Sequence, residues 1–136
     1  MIDSELLKKV VKKVSAQFHF NLVVLFGSQV DGNTHAQSDI DIGVMSDHVL
    51  RPKELAQIGF ELSQAAKLSN VEVSDLKMLP PLVLKSIAEQ SVLLYESAIN
   101  LYDRFVIYGL KRHMEAAPLY RARALELKKF LATNDQ

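Results

Sequence analysis

Ser38-Asp39-Ile40-Asp41-Ile42-Gly43-Val44 alternates polar and apolar residues, a pattern sorted by an extended strand with one buried face. Side chains two apart on a strand share a side, so Ile40, Ile42 and Val44 enter a core while Asp39 and Asp41 project together. Aspartate is a poor strand former, and two carboxylates this close repel each other unless a cation lies between them. Magnesium suits such a pair, because it binds carboxylate, water and phosphate oxygens. The chain must therefore build a sheet that keeps an acidic pair on an accessible face.

A second strand precedes it. Asn21-Leu-Val-Val-Leu-Phe26 is a short run rich in β-branched and aromatic residues, too short for a helix and closed by Gly27. Glycine permits positive φ and close approach to the backbone, and Ser28 offers a hydroxyl and an amide to a phosphate oxygen. A helix opening at Ser28 would add free N–H groups and a favourable dipole end for a triphosphate. Ten residues separate Ser28 from Asp39. From average residue usage, Gly-Ser and Asp-x-Asp at one fixed spacing should arise by chance in on the order of one in a thousand chains of this size.

A third carboxylate would complete a metal site. Val71-Glu72-Val73-Ser74-Asp75-Leu76 is strand-like and holds two candidates, three residues apart and so on opposite sides. Glu72 sits between valines in an apolar-acid-apolar pattern and is favoured. Asp75 lies near the strand end, where a capping or turn role is open to it.

Helical periodicity fills the intervals. Leu6, Leu7, Val10, Val11, Val14 and Phe18 form a stripe over residues 4 to 18, with lysines opposite and Asp3 or Ser4 available as cap. Pro52 suits a first helical turn, and an amphipathic face from Leu55 to Ala66 ends at Ser69-Asn70. Pro80-Pro81 opens a short helix through Glu89, and Ser91 to Glu96 reads as a last strand. The order implies an α+β two-layer fold, a small mixed sheet with helices on one face. Residues 1–100 read as the domain proper and 101–136 as a C-terminal helical extension of it, helical from Tyr102 to Leu131 with an interruption expected near Pro118.

Composition narrows the chemistry. With 136 residues, 49% of them hydrophobic, the chain suits one domain. It has no cysteine and four scattered histidines, which leaves neither thiolate chemistry nor a zinc pattern. No apolar run is long enough to span a membrane, and Lys8, Lys9, Lys12 and Lys13 break any signal-peptide pattern, so a cytoplasmic location is expected. Sixteen basic and sixteen acidic residues cancel, which argues against charge-driven nucleic-acid binding. Residues 101 to 136 carry seven Lys/Arg and four Asp/Glu, a local excess of three positive charges (7 − 4) on an otherwise acidic chain. That excess suits either a solvated helix face or a docking surface for an acidic partner. His35, Arg112 and His113 receive no catalytic role.

Leu25-Phe26-Gly27-Ser28, Ser38-Asp39-Ile40-Asp41-Ile42 and Val71-Glu72-Val73 together resemble the signature elements of the DNA polymerase β-type nucleotidyltransferase superfamily. The likeness covers about residues 20 to 96, and the small size is similar to that of the minimal nucleotidyltransferases of bacteria and archaea. One departure stands out. Members of this family often carry Arg directly after the Gly-Ser pair, whereas here Gln29-Val30-Asp31-Gly32 follows, so a cation for the triphosphate would come from elsewhere, such as Lys77, Lys85 or Arg104.

The resemblance implies a polymerase β-like fold in which Asp39, Asp41 and Glu72 are catalytic and hold two Mg²⁺, while Gly27 and Ser28 bind the phosphates of ATP. It further implies a protein adenylyltransferase antitoxin that transfers AMP to a hydroxyl, of tyrosine above all, on a HEPN-type ribonuclease toxin. The alternatives are an antitoxin that only masks its toxin, through the C-terminal helices, and a small-molecule nucleotidyltransferase. The latter usually needs a further substrate domain.

Overall fold

The computed structural model describes residues 3–27 and 40–134. Helix α1 (Ser4–Phe18) starts where the Asp3 carboxylate accepts the Glu5 and Leu6 N–H groups at 3.0 and 3.3 Å, and stops at His19, whose φ of 56° is left-handed. Strand β1 (Leu22–Phe26) and strand β2 (Ile40–Met45) follow, then helix α2 (Pro52–Ala66) with proline in its first turn. Strand β3 (Val71–Asp75), a 3₁₀ turn (Leu76–Met78), helix α3 (Pro81–Glu89), strand β4 (Val92–Glu96) and helix α4 (Leu101–Asn134) complete the order.

The sheet runs β3-β2-β1-β4 and is mixed. β1 pairs antiparallel with β2 and with β4, while β2 and β3 are parallel and α2 forms the crossover between them. β4 carries one extra residue at Leu94, since Val23 faces Tyr95 but Val24 faces Leu93.

Strand alternation divides the interior in two. Val23 and Leu25 of β1 and Ile40, Ile42 and Val44 of β2 point to α1 and α2, where Leu7, Val11, Ile58 and Leu62 meet them. Leu22 and Val24 point the other way, to Leu76, Leu84, Ile87 and Phe105 from the 3₁₀ turn, α3 and α4. The α+β fold expected from the sequence is present, but helices cover both faces and not one: α1 and α2 pack on one side, and α3 with the start of α4 packs on the other, because strand alternation leaves Leu22 and Val24 an apolar side to bury there.

Helix α4 begins against the domain. The Tyr102 N–H donates to Glu96 Oε2 at 3.0 Å, and the Tyr102 hydroxyl lies 2.5 Å from Ser91 Oγ. Gly109 lets it approach α3, because a Cβ there would sit 3.1 Å from the Leu84 carbonyl oxygen. Contrary to the expected interruption, the helix continues through Pro118. Proline removes one N–H from the ladder, but Glu115, Ala116 and Ala117 before it and Leu119 to Leu127 after it are mostly strong helix formers that carry the remaining bonds across. From Arg121 to Thr133 every residue is exposed. No helix among the described residues is long and apolar enough to cross a membrane.

Candidate active site

Register brings three side chains into one row. Asp41 pairs with Phe26 on β1 and with Glu72 on β3, so Glu72, Asp41 and Phe26 lie side by side across adjacent strands, about 4.8 Å apart from strand to strand. All three stand on the α3–α4 face, opposite Ile40 and Ile42. Glu72 is exposed on an edge strand, Asp41 half-buried.

Gly27 closes β1 at φ 81°, and a Cβ there would overlap Asp41 Oδ2. Any other residue would both strain the turn and push into the carboxylate, so glycine lets the Asp41 carboxylate lie directly against the turn. Further along β2, a Cβ at Gly43 would overlap Leu76, which therefore packs flat on the sheet behind the acidic row.

The choice between the two β3 carboxylates follows from their surroundings. Asp75 is buried on the α2 face, with its Oδ2 accepting the Leu50 N–H at 2.8 Å and its Oδ1 the Lys77 N–H at 2.9 Å. It ties the loop before α2 to the 3₁₀ turn. Glu72 faces the acidic row and Asp75 faces away from it, as their odd spacing requires.

Ser28 and Asp39 lie outside the described residues, as do His35 and the Gln29-Val30-Asp31-Gly32 run. Among the described residues no three metal-type ligands cluster, and Asp41 with Glu72 supplies two of the three expected carboxylates. Two carboxylates side by side on adjacent strands are the hard oxygen donors Mg²⁺ takes, so the residues present fit that ion.

The substitute cations sort by position. Lys77 and Arg104 line a separate cavity of about 330 Å³ with Met45, Leu101 and Phe105, at the opposite end of β2 from Asp41. Neither accompanies Gly27. Lys85 lies on α3 and pairs with Glu89 at 3.4 Å, beside a cavity that reaches Gly27.

Two features escaped the sequence reading. Phe26 read only as strand core, yet it adjoins Asp41 and lines that cavity. The i, i+4, i+7 spacing of Leu82, Ser86 and Glu89 could have marked one common helix face. Away from the row, after β2, His48 bridges Asp47 and Glu54, each at 2.8 Å. Its hydrogen bonds, to Asp47 first, raise the His48 pKa, and the His48 ring chiefly lowers the Glu54 carboxyl to about 2.

The sequence matches the polymerase beta nucleotidyltransferase family over residues 8–100. The chain belongs to that family. As a nucleotidyltransferase it is similar in fold to several solved structures. One is a toxin–antitoxin complex with AMP-PNP, with 20% identity and a TM-score of 0.77, covering 89% of this chain and 98% of that one. Another is a tri-AMPylated HEPN toxin of Shewanella oneidensis in complex with an MNT antitoxin, with 18% identity and a TM-score of 0.73, covering 93% and 99%. A third is an MntA–HepT toxin–antitoxin complex, with 18% identity and a TM-score of 0.73, covering 91% and 98%. No curated protein matches the chain in sequence.

Proposed function

We propose that this nucleotidyltransferase is a Mg²⁺-dependent protein adenylyltransferase, the antitoxin of a HEPN-type ribonuclease toxin, and that it transfers AMP from ATP to a hydroxyl, above all of tyrosine, on that toxin. The observation that carries the reading is the register placing Glu72, Asp41 and Phe26 in one row beside Gly27. The likeness in fold to chains of toxin–antitoxin complexes, one with AMP-PNP and one with an AMPylated toxin, supports the choice of donor and partner. Such a protein works in the cytoplasm, where ATP and the toxin are found.

In this mechanism Gly27 and Ser28 hold the β and γ phosphates and set the α-phosphorus beside Asp41. The acceptor hydroxyl approaches from the open β3 edge, where Glu72 is exposed. Its oxygen forms a bond to the α-phosphorus as the bond to the bridging oxygen breaks, and pyrophosphate leaves on the Gly27 side. Glu72 is placed to take the hydroxyl proton. Asp39, Asp41 and Glu72 would hold two Mg²⁺, which supply charge stabilisation to the transferring phosphoryl group and its leaving oxygen.

A masking antitoxin without catalysis is the second reading, favoured by the distal half of α4, where Leu125, Leu127, Phe130 and Leu131 are all more than half exposed. Mg²⁺, α-labelled ATP and a HEPN-type toxin separate the two. Label on the toxin, absent with Asp39→Asn/Asp41→Asn, is the expected result. Toxin neutralised by that double variant without label would establish masking instead.

A further inference from the structure

Towards the far end of β2 from Asp41, the 3₁₀ turn and the start of α4 enclose a cavity of about 330 Å³. Leu76 and Phe105, both buried, lie at its base, and Met45, the last residue of β2, also lines it. Leu101, Arg104, Phe105 and Tyr108 follow at i, i+3, i+4 and i+7, so a single face of α4 supplies one wall. The Phe105 and Tyr108 rings meet there with centroids 6.5 Å apart. A mostly apolar lining with a few polar groups, at a volume within about 300–1,000 Å³, is the make-up of a small-molecule site.

The polar groups are two cations. Lys77 and Arg104 line the cavity, and both are exposed. Among the described residues neither forms an ion pair, whereas Lys8, Arg51, Lys85 and Arg112 each pair with a glutamate three or four residues away. Asp75 and Glu96, at the ends of β3 and β4, are taken up by the N–H groups of Leu50, Lys77 and Tyr102. Asp103 lies about 100° round the helix from Arg104. Arg104 also stands in the first turn of α4, where the helix dipole disfavours a cation. The chain itself thus leaves these two charges uncompensated, and the negative charge has to come from outside.

We propose that this cavity binds a small organic anion, an apolar ring or branched chain that carries a carboxylate or phosphate. The body lies against Leu76, Phe105 and Tyr108, where the tilted ring pair offers aromatic surface. The head group meets Arg104, whose planar fork matches either anion with two parallel N–H donors, and Lys77, which adds a point charge on a flexible stem. The site is separate from the transfer centre, because Met45 and Asp41 stand towards opposite ends of β2.

The test follows the methyl resonances of the full chain as hydrocinnamate or phenyl phosphate is added. Hydrocinnamamide is the control without charge, and acetate the control without a ring. One of the first two is expected to shift Met45, Leu76 and Leu101 with a Kd of about one millimolar or tighter, and the tighter binder identifies the head group. Lys77→Gln/Arg104→Gln, at two exposed positions, should weaken that ligand about tenfold or more and leave the other methyl resonances in place. No shift at these methyls from either anion, or equal affinity in the double variant, overturns the proposal. So does hydrocinnamamide bound as tightly as hydrocinnamate, a comparison on wild type alone that decides the role of charge even if the variant misfolds. Acetate bound as tightly as hydrocinnamate leaves a bare anion site and overturns it as well. A HEPN-type toxin that displaces the ligand gives the cavity to a protein interface, which also defeats the proposal.

Discussion

On the α1–α2 face of the sheet, Val23, Ile42, Val44, Ile58 and Leu62 are fully buried in an apolar filling, and the buried Asp75 at the end of β3 has both carboxylate oxygens bonded to backbone N–H groups. On the α3–α4 face, Leu76, Leu84, Ile87 and Phe105 fill only the middle, and a cavity opens at each end. The same strands serve both faces, because alternation sends Ile40 and Ile42 one way and Asp41 the other. Acidic groups and concavity cost stability, which the apolar filling of the α1–α2 face offsets.

The largest expected effect belongs to the α1–α2 face. Ile42→Ala removes a fully buried side chain and should cost about 2–5 kcal/mol in urea unfolding, while the folded protein still binds nucleotide. Glu72→Gln should do the reverse, with transfer slowed about 100-fold or more and stability shifted by about 0.5 kcal/mol or less, because the side chain is exposed. If Glu72→Gln unfolded the protein as readily as Ile42→Ala, the division of labour between the faces would be refuted.

The smallest effect concerns His48, exposed at the end of the sheet away from Asp41. Asp47 and Glu54 raise its pKa above the ordinary 6.5, so its contribution is full below about pH 6.5 and disappears as pH rises through the raised value. Glu54, lowered from 4.5 to about 2, contributes above about pH 4.5 and loses that contribution as pH falls towards 2. Asp47 is lowered in the same sense. The three act together between those limits. His48→Gln should therefore lower the melting temperature slightly at about pH 5.5 and not at about pH 9. An equal difference at both would show that the ring acts by packing alone.

Much of this was legible in the chain because alternation and helical periodicity are local. The Ile40-Asp41-Ile42 pattern located β2 and the acid that faces away from the α1–α2 core, and the stripe from Leu7 to Val14 located α1 and its buried side. Glu72 against Asp75 could be narrowed by alternation, but Asp75's partners are the N–H groups of Leu50 and Lys77, and the Leu50 contact depends on tertiary packing. The distance of Lys77 and Arg104 from Gly27 was hidden for the same reason. Pro118 misled in the opposite direction, since a local rule about one N–H was outweighed by the helix formers around it. Leu6, counted in the α1 stripe, is 51% exposed, as a residue at the margin of an apolar arc can be.

Helix α4 has a consequence for delivery of the acceptor. Its 34 residues extend about 51 Å at 1.5 Å per residue, and it meets α3 near its start, where Gly109 lies against Leu84, while from Arg121 to Thr133 it is exposed. A protein gripped along the remaining reach would be leashed to the catalytic end. Its hydroxyl would then meet the β3 edge as an intramolecular reactant, at an effective concentration that short tethers bring to about millimolar. An enzyme built this way needs no tight pocket for the group it modifies.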